Sequence, residues 1–418
     1  MNLCLCFGYF PETIEEDIIS NTKCYLQNSA NVLQKKFIEG IACYFKSFTI
    51  INAPFVGYYP LKYRSIYVPK TYFQHKEGNA TIDVRSYSFN TLPYLTHKER
   101  KYKCKREVSR WLYKHQNEND ENVVIVYSMH MNFILACAEL KKKYRFKLIT
   151  IIPDLPKYFN TSGKWYSILH QKINNLMKKD YVDELNCIDG FVYLTEYMNR
   201  EICKEERPYV VIEGMVSYKS AEESHIHKHE KFILYTGTMA RKYGVMNLVE
   251  AFTIMKHNKD YKLCLCGYGD CISEIQHLSR EYNIDYKGEI SNKEVLDLQK
   301  KAALLINPRV NEGEYVKFSF PSKVMEYFVS GTPVLMHKLD GIPLEYYDYC
   351  FTFNGTKLTE IAQQIDEVLD IKESERLFLA EKANRFILDE KNSKIQCKKL
   401  VELIKIILNK HENSVNHI

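Results

Sequence analysis

The run Phe318-Ser319-Phe320-Pro321-Ser322-Lys323-Val324-Met325-Glu326-Tyr327, followed by Ser330-Gly331-Thr332-Pro333-Val334-Leu335, has the residue types of a site for a phosphorylated sugar. Pro321 suits the first turn of a helix, where its missing N–H costs nothing. The free N–H groups beside Ser322 and Lys323 then point outward with the positive end of the helix dipole, and an anion belongs there. Glu326, about one turn further in, is placed to accept hydrogen bonds from ribose or sugar hydroxyls. Gly331 and Pro333 end the helix before an apolar strand. A nucleotide sugar satisfies all of these groups.

Three other segments carry compatible chemistry. Leu234-Tyr235-Thr236-Gly237-Thr238 leads to Arg241-Lys242-Tyr243-Gly244, a strand end followed by cations able to neutralise a diphosphate; a solvated basic loop would read the same way. Leu265-Cys266-Gly267-Tyr268-Gly269-Asp270 joins a strand to a helix, and its glycines allow a sharp turn close to a ligand or simply a sharp turn. Leu305-Ile306-Asn307-Pro308-Arg309 ends a strand on an arginine that either faces a cleft or pairs with Glu312 or Glu314.

In order and spacing these four segments resemble the donor-site signature of family 4 glycosyltransferases of the bacterial surface-polysaccharide type, most strongly from about Ile188 to Tyr349. The resemblance implies an α/β protein of the GT-B fold: two Rossmann-like doubly wound domains facing a central cleft, with a last helix crossing back to the first domain. It implies a hexosyltransferase (EC 2.4) that retains anomeric configuration by front-face attack, the leaving phosphate helping to take the acceptor proton. The donor-binding set is then Gly237, Thr238, Arg241, Lys242, Gly267, Tyr268, Gly269, Arg309, Ser319, Phe320, Pro321, Ser322, Lys323 and Glu326. Lys323 also absorbs the charge that develops on the leaving group.

The chain departs from the family pattern at several positions. Thr238 stands where an arginine is usual, and Tyr243 precedes Gly244 where a lysine is usual. The first of the family's two glutamates falls on Phe318, so Glu314 is the candidate to supply that carboxylate. Asp154, in Ile152-Pro153-Asp154-Leu155-Pro156, lies near the usual histidine and either positions the acceptor hydroxyl or donor sugar, or forms an N-cap or Asx turn. Ser128 and His130 follow another strand; His130 is a candidate catalytic group or an ordinary packed histidine. Gly8 and Tyr9 resemble the acceptor-side loop.

Elements that position these residues are legible as short apolar runs alternating with helical stretches, the pattern of parallel sheets covered by helices. Strands are expected at Leu3–Phe7, Phe48–Asn52, Val123–Tyr127, Lys147–Ile152 and Gly190–Leu194, with Tyr63–Val68 and Thr81–Tyr87 as further candidates and a polar helix from Thr96. Past a polar stretch come Phe232–Thr236, Lys262–Cys266, Ala303–Ile306 and Val334–Met336, separated by helices near Val245–Met255, Cys271–Tyr282 and Lys293–Lys300. The expected organisation is an acceptor-binding domain over 1–213, a linker over 214–230, a nucleotide-sugar domain over 231–395, and a returning helix over 396–418.

The chain has 418 residues, 45% of them hydrophobic, and a formal net charge of +6, which suits two folded domains and does not call for nucleic acid. Its 13 cysteines sit in apolar runs such as Leu3-Cys4-Leu5-Cys6, favouring reduced buried thiols over disulfides or a zinc site. The N-terminus lacks a signal pattern, and a cytoplasmic protein is expected, soluble or on the inner face of the membrane. Residues Leu155 to Lys179 hold five lysines and no acid, with apolar residues at helical spacing: a membrane-surface helix or core packing. The partners expected are a nucleoside diphosphate sugar and a glycan or lipid-linked acceptor, with no metal or other cofactor. Two rivals are a nucleotide-sugar epimerase of the same architecture and a non-catalytic partner subunit.

Overall fold

The computed structural model describes residues 1–23, 28–117, 120–127, 131–155, 185–202, 206–222 and 229–409. The chain divides into two compact units: Met1–Glu213 with the segment from Ser393 onward, and Gly214–Asn392.

In the first unit, apolar runs too short for helices become strands buried on both faces. They are β1 (Asn2–Phe7), β2 (Ser47–Asn52), β3 (Tyr67–Val68), β4 (Thr71–Glu77), β5 (Ala80–Ser86), β6 (Phe89–Asn90), β7 (Asn122–Tyr127), β8 (Lys147–Ile152), β9 (Gly190–Tyr193) and β10 (Tyr209–Val211). Eight form one sheet in the order β10-β9-β8-β7-β1-β2-β5-β4, parallel except that β4 runs antiparallel to β5. Cys4 of β1 lies opposite Thr49 of β2 on one side and Val124 of β7 on the other. The chain therefore winds outward from β1 in both directions, and the order reverses between β1 and β7.

The described helices here are α1 (Glu15–Asn21), α2 (Asn28–Ala42), α3 (Leu95–Lys114), α4 (Met131–Lys141) and α5 (Tyr197–Ile202). α3 packs on α4 and reaches β1 and β2. Two expectations change. The Tyr63–Val68 region contributes only β3, paired with β6 outside the main sheet, while Tyr63 makes a lone bridge to Thr22. The edge strand β4 was not expected, because Tyr72, Gln74 and Lys76 alternate with half-buried residues in a run with little apolar character.

The second unit is built on β11 (Glu230–Thr236), β12 (Lys262–Cys266), β13 (Ile284–Gly288), β14 (Ala302–Asn307), β15 (Val334–Met336) and β16 (Phe351–Thr352). Their order is β13-β12-β11-β14-β15-β16, all parallel, which is the dinucleotide-fold winding with its reversal between β11 and β14. Its helices are α6 (Val245–Ile254), α7 (Ile272–Leu278), α8 (Asn292–Lys301), α9 (Ser322–Val329), α10 (Leu358–Asp370) and α11 (Glu373–Glu390). Neighbouring strand residues serve opposite faces. Ile233, Leu263 and Leu304 join Val249, Phe252 and Ile365 in one core, whereas Leu234 and Leu305 join Val324, Phe328 and Phe386 in the other. Each such side chain contributes about 1.5–3 kcal/mol by leaving water.

α8 starts where Ser291 and Glu294 form a reciprocal capping box, which fixes its first turn. α7 stops at Leu278, short of the expected Tyr282, and β13 was missed because Asp285 and Lys287 interrupt its apolar residues. The stretch read as a linker contains a 3₁₀ turn, Tyr218–Glu222, and Val216 bridges Asn392.

α12 (Ser393–Asn409) belongs to the first unit, where it lies on α2: the Cys397 thiol reaches Phe37 O at 3.7 Å and Tyr44 Oη donates to Lys394 O at 2.9 Å. The cysteines among the described residues are free, and most are buried. Among those residues no helix is long and apolar enough to cross a membrane. The basic stretch beyond Leu155, up to Lys179, lies outside the described residues.

Candidate functional site

A doubly wound sheet binds ligands beyond the carboxyl ends of its strands, where the order reverses. In the second unit that point is served by the loops after β11 and β14. Backbone bonds lace the loop after β11 to its neighbours at the ends of β12 and β13: Gly237 N donates to Cys266 O at 3.0 Å, Met239 N to Tyr268 O at 3.0 Å, and Gly267 N to Gly288 O at 2.8 Å. Two glycines make this approach possible. Gly267 has φ +141° and a Cβ there would strike Gly237 O; Gly244 has φ +75° and a Cβ would strike Pro308 O. The sequence signal at both positions was therefore structural as well as suggestive of a ligand.

Arg309 is the centre of the side-chain arrangement. Its Nη2 donates to Ser319 Oγ at 2.7 Å, and its guanidinium carbon lies 5.0 Å from the Tyr315 ring centroid and 5.6 Å from that of Tyr243. It is buried, with Nε lacking a partner, and it pairs with neither Glu312 nor Glu314. Tyr315 Oη donates to Lys242 O at 3.2 Å, so one cluster ties the loop after β11 to the segment before α9. The sequence reading did not single out Tyr315; an aromatic residue in an otherwise charged loop was the available signal.

α9 begins at Ser322 with Pro321 as its N-cap, φ −70° and ψ 107°, so Pro321 stands just outside the first turn where it was expected. Val324 N donates to Pro321 O at 3.0 Å, and the N–H groups of Ser322 and Lys323 are the ones left without intrahelical partners. Lys323 Nζ and Glu326 Oε2 are 2.7 Å apart, both side chains about one-third exposed. α9 is fastened to β11 by a buried group that the sequence reading passed over. Tyr327 Oη accepts from Thr236 N at 2.9 Å, and Gln299 Nε2 donates to Thr236 Oγ1 at 3.1 Å.

Other predicted residues fall at the margin. Arg241 is exposed, its Nη2 2.5 Å from Glu274 Oε2 and its backbone N donating to Asp270 Oδ1 at 3.3 Å. Lys242 is exposed, with Nζ 4.9 Å from the Tyr243 ring centroid. Thr238, Tyr268 and Ser322 are exposed, Gly269 is half-buried, and Phe320 is in the core. Glu314 is exposed and stands 4.0 Å from Lys317 Nζ, while Phe318, at the position of the missing glutamate, is buried.

In the first unit, the turn after β1 is clamped by side chains of α2: Gly8 N donates to Gln34 Oε1 and Phe10 N to Asn31 Oδ1, each at 2.7 Å. Tyr9 is buried, its hydroxyl without a partner. Asp154 follows β8; it reaches solvent, yet the protein packed around it pushes its carboxyl pKa up to about 6. Ser128 and His130 lie outside the described residues.

Residues 218–392 match the family model for glycosyl transferases group 1. The matched stretch lies within the second unit. Among curated protein sequences none matches the chain. Solved structures match in fold. Sucrose-phosphate synthase from Thermosynechococcus elongatus is 14% identical, with 98% of this chain and 100% of that one covered and a TM-score of 0.61. The α,α-trehalose 6-phosphate synthase from Burkholderia multivorans is 12% identical, with 98% and 99% covered and a TM-score of 0.60. HepE from Anabaena, solved with UDP, is 10% identical, with 97% and 100% covered and a TM-score of 0.58. The two units thus have the Rossmann-like folds of GT-B proteins.

Proposed function

We propose that the chain is a retaining glycosyltransferase that moves a sugar from a nucleoside diphosphate sugar to a hydroxyl of a glycan or lipid-linked acceptor. The observation that carries this reading is the Arg309 cluster, which joins the loop after β11 to the segment leading into α9 at the reversal of strand order. It anchors the segment leading into α9, where the first N–H groups and Lys323 lie, and reaches the loop of Lys242 through that residue's carbonyl.

A diphosphate bound there draws Lys323 away from Glu326, and the freed carboxylate accepts from ribose or sugar hydroxyls. As the glycosidic bond breaks, negative charge grows on the leaving phosphate. Lys323 and the α9 N–H groups stabilise that charge more than they stabilise the intact donor. Asp154 orients the acceptor hydroxyl, and the departing phosphate helps take its proton. HepE, solved with UDP, makes a uridine donor the first to try.

The test is thermal stabilisation by UDP, GDP, ADP and CMP at equal concentration, since a ligand at about a hundred times its Kd adds roughly 2.7 kcal/mol. A clear response to one nucleotide, lost in Lys323→Ala, supports the donor site. No response to any of them overturns it. A donor-only assay that yields an epimerised nucleotide sugar would favour the epimerase.

A further inference from the structure

α3 is strongly basic. α3 holds eight lysines and arginines against two glutamates, a difference of six, equal to the net charge of the whole chain. Much of it is answered locally: Glu139 pairs with Lys101 and Lys105, and Glu99 with Lys103. Toward the C-terminal end of α3 the balance fails. Arg106 and Arg110 share the single carboxylate of Glu107, and Lys114 is exposed.

That end borders an open recess of about 520 Å³, within the roughly 300–1,000 Å³ of small-molecule sites. It exists because α3 covers β1 and β2, while the sheet continues to β5 and β4 with one face left half-exposed. The walls are Tyr72 and Arg85 from those strands, Arg110, Tyr113 and Lys114 from α3, and Tyr144 beyond α4. Glu107 is the one carboxylate in the lining, and Ser109 Oγ and Tyr144 Oη are 3.1 Å apart. Arg85 is held flat by two bonds to Asp83, of 2.9 and 2.6 Å, with its guanidinium 5.7 Å from the Tyr72 ring centroid. Tyr72 and Tyr113 are each 67% exposed, which leaves aromatic surface open to a ligand in the recess. The recess is two to three strand spacings from β1, about 10–14 Å across the sheet, and so is separate from the Gly8–Tyr9 turn.

We propose that this recess binds an acidic saccharide, a carboxylated, sulfated or phosphorylated stretch of the acceptor chain remote from the reacting hydroxyl. Flat tyrosine faces suit the C–H faces of sugar rings, and the excess of cations, with Arg106 and Arg110 sharing Glu107 and Lys114 exposed, suits their acidic groups. The inference rests on the reading of the acceptor as a glycan.

Isothermal titration with a heparin-derived tetrasaccharide and with neutral maltotetraose tests it on the full chain without nucleotide. The acidic tetrasaccharide should bind at least about tenfold more tightly, with affinity falling as salt rises. Tyr113→Ala and Lys114→Glu, both on exposed side chains, should each weaken it about fivefold or more without shifting the melting temperature. Equal binding of the neutral sugar, or unchanged binding in both variants, overturns the proposal. Displacement by inorganic phosphate that is indifferent to Tyr113→Ala overturns the saccharide assignment in favour of a bare anion site. Cosedimentation with phosphatidylglycerol vesicles that needs the same residues, without tetrasaccharide binding, overturns it in favour of a lipid surface. Because nucleotide stabilisation is read separately, failure of the donor site and failure of the recess are distinguishable.

Discussion

Lys323 Nζ lies 2.7 Å from Glu326 Oε2, so the cation assigned to phosphate and the carboxylate assigned to sugar hydroxyls are partners of each other. An ion pair this exposed contributes about 0.2–1 kcal/mol, small enough for a diphosphate to displace. Lys323→Ala should therefore leave the melting temperature nearly unchanged and lower turnover on the order of a hundredfold. Steady-state kinetics with the donor identified by the nucleotide screen checks this. Near wild-type turnover would remove Lys323 from the mechanism.

Arg309 should behave differently, because it acts through what it holds. Arg309→Ala leaves Ser319 without its donor and Tyr243 and Tyr315 without the cation near their rings. A loss of about 2–3 kcal/mol in stability is expected, together with a fall in turnover larger than the change in KM for the donor, since the segment before α9 loses its fixed position. Arg309→Lys should recover little, because an ammonium cannot reproduce a planar group that both stacks and hydrogen-bonds. Thermal melts and donor kinetics on both variants decide the matter. Full rescue by lysine would reduce Arg309 to a simple charge.

Asp154 gives a pH dependence of definite sign. Desolvation raises its pKa from 3.8 to about 6 in the folded chain, so folding favours the protonated acid. Its contribution to stability is fully present below the unfolded value and is lost as pH rises through 6. Asp154→Asn should consequently gain melting temperature relative to wild type as pH is taken from 4 to 8. If the ionised carboxylate orients the acceptor, wild-type kcat/KM should also fall below about pH 6, with that limb absent in the variant. Melting curves and rates across the range test both; a pH-independent stability difference would contradict the raised pKa.

The parallel sheets were legible because their strands are buried on both faces and therefore read as unbroken apolar runs, as in Val123–Tyr127 and Lys147–Ile152. β4 and β13 were not, because Thr71–Glu77 has no buried residue and Ile284–Gly288 only one, too little apolar character to stand out before a neighbour pairs with them. Secondary structure of this kind is decided by tertiary partners.

For the candidate site, sequence alone determined residue types and local geometry: a proline at the start of a helix, a lysine and a glutamate about one turn apart, and glycines at strand ends. These follow from spacing along one short segment. Only the tertiary structure decided which of them act together. Arg309 and Ser319 are ten positions apart, Tyr315 and Lys242 seventy-three, and Tyr327 and Thr236 ninety-one. The same folding turned Arg241 toward Glu274 and left Glu314 in solvent, because a charge takes the partner that packing brings within reach, whatever its neighbours in the sequence.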